Sequence, residues 1–382
     1  MKKVLALVLA LMMLLTSAAL AETVTLGATA PLTGSNQMTG GYYVNGMKMA
    51  VDEINAAGGI LGRELALKVE DEGADQTTAL NATVKLIEEG VPAIIGSYFS
   101  TNCMAVLGNV KDSGVVYYAN GSNPDISAQQ NPYVWQIRVT DNFTGPIMAS
   151  VAVDTAKITN PAILYTTAAS TTLLAERVML KMEEMGYPVD QANVYGAPEE
   201  ETNFNAIIAQ IMASDVDGLM CMGVSEAWNV AFSQQLESAG FDLPKVGSLS
   251  FSSVAYISVA GSAAEEWITV AEWSADILGE LDFEIAERAI EFEKKYEELY
   301  GIPSVSQAAW GYDCVYLFKE AAERAGSFDR EAINEAMAQT DMQGAGNYYK
   351  IYDDTWHVMS TYTLANQNLG GIASPFAKVT FR

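Results

Sequence analysis

The sequence predicts an α/β protein made of two doubly wound parallel-sheet lobes. Three observations carry that prediction. Strand-like apolar runs alternate with helical spacings through most of the chain, which is the pattern of parallel sheets covered by helices. The alternation runs through "VVYYAN" and begins again at "NPAILYTT", so there are two such units. No low-complexity linker lies between the two, so several short crossings should join them rather than one tether.

The elements follow in order. "TVTLGATAPL" reads as a strand ending in a Pro/Gly turn. Val44, Met47, Val51 and Ile54 recur at helical spacing, and the glycines of "AAGGILG" stop that helix. "ELALKVED" alternates Leu65, Leu67 and Val69 as a strand does. Residues 76–89 read as helix, "VPAIIG" as strand, 100–113 as helix and "VVYYAN" as strand. In the second unit "NPAILYTT" is a strand, 171–185 a helix and "ANVYGAP" a strand. Helix 203–214, strand "DGLMCMG", helix 226–239 and strands "KVGSLS" and "EWITVAEW" follow. A long helical region covers roughly 284–340. "GNYYKIYDDTWHVMSTYTL" reads as a hairpin turning at Asp353–Asp354.

The 382 residues are enough for two sizeable cores. The first 21 do not belong to the fold. Lys2 and Lys3, the apolar run "VLALVLALMMLL" and the small residues Ala19 to Ala21 make a secretory signal peptide, too short in its apolar part to span a membrane comfortably. Cleavage is expected before Glu22, with the mature chain soluble outside the cytoplasm. The formal charge of −26 argues against nucleic acid and anionic membranes as partners. Cys103, Cys221 and Cys314 are an odd set in apolar or helical contexts, expected as buried thiols, with one disulfide left open. The only histidine, His357, stands apart from other ligating residues. The sequence carries no metal-ligand spacing, nucleophile elbow or phosphate-cradling loop. It therefore calls for no cofactor and no metal, and nothing in it favours an enzyme.

In open parallel sheets, ligands bind beyond the carboxyl ends of the strands. The stretches there are "TGSNQMTGG", "SYFSTN", "NGSNP", "TTAAST", "GVSEAW" and "SLSFSS". They are rich in small hydrogen-bonding residues and poor in titratable ones, which suits binding rather than acid–base chemistry. Ser100 and Thr101 stand where a helix should begin, so a hydroxyl and free N–H groups would face an anion such as a carboxylate. Simple capping by Ser100 is the competing reading. The cluster Asn120, Gly121 and Ser122 after the neighbouring strand favours a site.

The segment "APLTGSNQMTGGYYVNGMKMAVDEINAAGGILGRELALKVEDEGADQTTA" resembles the branched-chain amino-acid-binding proteins of ABC transporters. "VPAIIGSYFS", "GSNPDIS", "QIRVTDN", "QLESAGF" and "WGYDCVYLFKEAAERAG" fall in the same order as in that family. The resemblance spans the whole mature chain. It implies the type I periplasmic-binding fold, with a hinge of three crossings that closes on a small ligand. It implies lobes at 22–141 with 274–353 and at 142–273 with 354–382. It also implies that Ser100 and backbone groups near Asn120 receive a ligand carboxylate, with Ser122 near an amine. The second lobe departs from the family pattern. Ser170 stands near a position that is often aromatic, and the loop Ser248, Leu249, Ser250 lacks the acid that would face an ammonium group. Glu226 is the first substitute for that acid and Glu272 the second. Capping charge for Glu226 and a surface or hinge charge for Glu272 are the alternatives.

Other residues read as structural. Trp310 and Tyr312 belong to core or hinge packing, Asp71 and Asp75 to a loop and a cap, and Arg138 with Asp141 to a pair at the first crossing. Tyr98 and Phe99 read equally as cleft lining and as packing at the sheet edge. The sequence is therefore expected to encode an exported, monomeric binding protein that delivers an amino acid to an ABC permease. A carrier of a non-amino-acid carboxylate or small amide, or a sensory ligand-binding module, is the alternative.

Overall fold

The computed structural model describes residues 23–34, 36–73, 75–223, 225–274, 287–351 and 356–380. The expected leader and the turn at Asp353–Asp354 lie outside them.

The first sheet contains β1 (Val24–Ala30), β2 (Leu65–Asp71), β3 (Ala93–Ile95), β4 (Val116–Ala119) and β5 (Val134–Gln136), in the order β2-β1-β3-β4-β5 and parallel throughout. Alternate residues point to opposite faces, as the pleat requires. Ala93 and Ile95 join one core, while Ile94 joins the other. The first core is covered by α1 (Gln37–Ala56) and by α10 (Glu287–Tyr300), α11 (Ser306–Ala325) and α12 (Arg330–Met337). The second is covered by α2 (Gln76–Glu88) and α3 (Ser100–Ser113), with the short α4 (Asp125–Ala128) beside them. Gly46 and Gly311 let α1 and α11 meet backbone to backbone. A Cβ at Gly46 would lie 1.9 Å from the Ala308 carbonyl oxygen, and one at Gly311 2.4 Å from that of Tyr43.

The second sheet runs β14-β13-β10-β9-β8-β6-β7. Its parallel part holds β6 (Pro161–Thr166), β7 (Val194–Ala197), β8 (Gly218–Met222), β9 (Lys245–Gly247) and β10 (Trp267–Ala271). The antiparallel hairpin β13 (Tyr362–Leu369) and β14 (Ile372–Thr380) extends it past β10. α5 (Asp141–Asp154) and α6 (Ala169–Glu184) cover one face; α7 (Asn205–Ala213), α8 (Glu226–Ser238) and α9 (Val254–Ala260) cover the other. β11 (Asp341–Gln343) and β12 (Tyr348–Lys350) form a small ribbon on the first lobe, where Met342 and Tyr349 join its core.

The elements expected from sequence are present, and others come in addition. β5, α5 and α9 were not expected. The terminal hairpin turns at Gly370–Gly371, both at positive φ. The hairpin expected near 353–354 is represented by one antiparallel bridge, Tyr349 to Ser360. The three cysteines are buried and free.

Candidate ligand-binding cleft

The strand ends of the two sheets face each other. Leu249, just past β9 in the second lobe, packs against the core cluster of the first. The Glu226 carboxylate of the second lobe acts on the phenols of Tyr42 and Tyr98 in the first. Leu249 and Glu226 of the second lobe therefore lie close to the first lobe.

On the first lobe, β3 ends in a loop that leads straight into α3. Ser97, not Ser100, satisfies the helix entry. Its Oγ accepts from the Phe99 N–H (2.9 Å) and donates to Glu72 Oε1 (2.7 Å). The helix makes no side-chain cap bond at its N-cap Phe99. The capping reading of Ser100 is thereby corrected. Ser100 is the first helical residue, and its Oγ accepts from the Asn123 N–H at 3.1 Å in the neighbouring loop. The first intrahelical bond comes from the Cys103 N–H to the Phe99 carbonyl. The N–H groups of Ser100, Thr101 and Asn102 thus lack an intrahelical acceptor, and they stand at the positive end of the helix. Thr101 is exposed.

The loop after β4 lies against this helix start. Gly121 is required there, because a Cβ would sit 2.8 Å from Ser100 Cα and 2.7 Å from Ile126 Cδ1. Asn120 is fully buried. Its Nδ2 donates to Tyr43 Oη (2.6 Å), and that hydroxyl donates to the Gly96 carbonyl (2.7 Å). Asn120 therefore holds the two loops together through its Nδ2, while its Oδ1 is buried without a hydrogen-bond partner. Its carbonyl accepts from Arg138 Nη1 at 3.4 Å. Ser122 is half-buried and donates to Asp141 Oδ2 at 3.3 Å. Burial pushes the Asp141 carboxyl up to about 7, against the pull of Arg138.

On the second lobe, Ser170 lies in the first turn of α6 and is half-buried. Glu226 opens α8, whose N-cap is Ser225, with Oγ accepting from the Trp228 N–H. The Glu226 carboxylate is half-buried and accepts from Ser253 Oγ at 3.2 Å. The cap bond comes from Ser225, while Glu226 is the acidic residue of the helix's first turn, so its reading as a charge at the helix start stands. Ser250 is already engaged: it donates to the Gly223 carbonyl (2.7 Å) and accepts from Asn229 Nδ2 (2.8 Å). Its hydroxyl ties the ends of β8 and β9 together and offers no free donor.

Two expectations are corrected at the crossings. Glu272 is no cleft acid: it is 6 % exposed and accepts from Arg138 Nε at 3.0 Å and from the Val139 N–H at 3.4 Å. Burial raises its carboxyl, opposed by Arg138. Arg138 therefore pairs with Glu272 across the lobes rather than with Asp141, and its guanidinium lies 4.0 Å above the Trp310 ring. His357 stacks on Trp135 at 3.8 Å and donates through Nδ1 to the Val134 carbonyl, a packing role. Among the described residues no group of three or more ligating side chains is placed to hold a metal. A cavity of about 300 Å³ opens between α5 and α6 and includes none of the strand-end residues.

These two lobes, facing strand ends and paired crossings define a two-lobed binding protein. Residues 23–371 match the family described as periplasmic binding protein, and the chain belongs to that family. A relative from Pseudomonas aeruginosa, the leucine-, isoleucine-, valine-, threonine-, and alanine-binding protein, is 24% identical, with 90% of this chain and 92% of that one aligned. The leucine-binding protein LivK of Thermotoga maritima superposes with a TM-score of 0.82 at 23% identity, covering 94% of this chain and 99% of that one. LivJ of Streptococcus pneumoniae, solved with isoleucine, gives 0.82 at 21% identity, covering 94% and 99%. The two structural likenesses show the type I periplasmic-binding fold.

Proposed function

We propose that the chain captures a free amino acid, branched-chain or related, between its lobes and presents it to an ABC permease. One juxtaposition supports this reading: the start of α3 in the first lobe has N–H groups without an intrahelical acceptor, and the Glu226 carboxylate of the second lobe acts on Tyr98, two positions before that start. That arrangement is the complement of a zwitterion, with an anion-attracting end on one side and a cation-attracting end on the other. The ligand carboxylate sits at Ser100 and Thr101 and at the backbone of Asn120 and Gly121. Ser122 and Glu226 flank its amine, and Ser170 and Ser250 shape the second-lobe edge. The relatives named for leucine, isoleucine and valine support this reading.

The lobes are drawn at 22–141 with 274–353 and at 142–273 with 354–382. The first 21 residues act as an export leader, and the mature chain works as a monomer. Closure follows because the ligand makes contacts in the closed state that the open state lacks. A second reading, a carboxylate without an amine, draws on the loop Ser248–Ser250, which has no acid.

Glu226→Gln separates the two. It keeps the shape and removes the charge. Affinity for L-leucine should fall about tenfold or more, because an ammonium group would be left without its counter-charge. Affinity for 4-methylpentanoate should hardly change. Equal effects on both ligands would remove Glu226 from the site.

A further inference from the structure

The cavity between α5 and α6 lies outside the strand-end cleft. Its wall is made by Asn142, Pro146, Arg177, Leu180, Lys181 and Glu184. The two helices approach closely beside it, since a Cβ at Gly145 would lie 2.5 Å from Arg177 Cβ. The stem of Arg177 is therefore clamped against α5 at its root. The residue is half-buried, and its Nε is buried without a hydrogen-bond partner. An unmet donor on a half-buried cation is costly. Other arginines of the fold meet oxygens: Arg138 donates to Glu272, Arg324 to the Ala336 carbonyl, and Arg330 to the carbonyls of Val91 and Ser113. Arg177 has no carboxylate partner among the described residues. The acid in the same wall, Glu184, pairs with Lys181 at 3.2 Å.

The cavity thus holds a cation without a counter-charge, in a chain whose formal charge is −26. A guanidinium carries N–H groups side by side, in the spacing of the oxygens of a carboxylate. Lys181 adds positive charge, and Asn142 adds an amide in the first turn of α5, at the positive end of that helix. Leu180, 49 % exposed, and Pro146 give the wall an apolar part that suits a short hydrocarbon chain. The charge of the whole chain opposes a doubly charged phosphate more than a singly charged carboxylate. We propose that the α5–α6 cavity is a second ligand site, for a small monocarboxylate with a short apolar chain, held by Arg177. It shares no residue with the strand-end cleft, so it stands apart from the amino-acid reading. The cavity of about 300 Å³ sets the size of the ligand at the small end of the range for such sites.

Backbone amide shifts of the isotope-labelled chain test this, with sodium butanoate, sodium phosphate and sodium chloride added at matched ionic strength. Butanoate should move the amides of Asn142, Arg177 and Lys181 to saturation with a Kd of about 10 mM or below. Phosphate should bind there at least about threefold more weakly. Arg177→Gln should weaken butanoate at these amides about tenfold or more. Should that variant fail to fold, Arg177→Lys keeps the charge and removes the fork, and it should weaken butanoate about fivefold or more. No saturable shift at the three amides up to about 100 mM, shifts matched by chloride, or an affinity that survives the loss of the fork would each overturn the proposal. Tighter binding of phosphate would overturn the choice of a carboxylate. Shifts confined to Ser100, Thr101 and Gly121 would place the acid in the cleft, which supports that site and removes this one.

Discussion

Ser100 was recognisable in the sequence because it follows an apolar run and precedes a helical spacing. Its partner was not, because the Asn123 N–H comes from a loop more than twenty residues away. Ser100→Ala should lower the affinity for the bound amino acid by about 1.5–3 kcal/mol and stability by about 0.5–1.5 kcal/mol. Calorimetry beside a thermal melt reads both, and full affinity with only the stability loss would reduce Ser100 to a loop tie. Ser250 shows the opposite case: its sequence position suits a site, yet two internal bonds consume its hydroxyl. Glu72, beside Asp71, gave no signal of its own in the sequence. It is fully buried, and burial raises its carboxyl from 4.5 to about 7. Between those values the folded chain keeps a proton that the unfolded chain has lost, so stability falls as pH rises through the window and levels off above it. Asp141, raised to about 7, and Asp313, raised to about 6, act in the same direction. Glu72→Gln removes one of these contributions. Its Tm should therefore fall less than that of wild type between about pH 5 and about pH 7.5. An equal fall would mean that Glu72 is already ionised in the fold.

At the scale of elements, long periodic segments were legible and short or atypical ones were not. β5 is three residues long, too short for a period to emerge. α5 carries Pro146 and is apolar around much of its surface, which hides a helical stripe. The terminal hairpin reads poorly because its turn is Gly-Gly and its outer strand contains Pro375 at a bulge. The join of α1 and α11 depends on glycines whose reason is spatial rather than local. Gly46→Ala should cost about 1–3 kcal/mol, because the new Cβ meets the Ala308 carbonyl. Gly41→Ala, on the same helix with open space around it, should be neutral or gain up to about 1 kcal/mol. Urea titrations of both variants check the pair. Equal effects would show that the helices separate freely.

At the scale of the molecule, the two-lobe plan was legible because β/α alternation stops and restarts. The couplings between lobes were not, because they join residues more than a hundred positions apart. Arg138 and Glu272 are such a pair, and breaking a buried pair by removing one charge costs about 3–5 kcal/mol. Glu272→Gln should therefore lower Tm while leaving the preference for an amino acid over its amine-free acid unchanged. A changed preference would make Glu272 the ammonium partner in place of Glu226. The central claim is that an amino acid is held between the lobes, and isothermal titration of the chain lacking residues 1–21 tests it most directly. Leucine, isoleucine, valine, threonine and alanine are each titrated beside the amine-free acid of the same skeleton. The account predicts that at least one amino acid saturates at one per chain with a Kd of about 1 μM or below, and that its amine-free acid binds more weakly. No amino-acid binding at about 1 mM, or tighter binding of an amine-free acid, would contradict it.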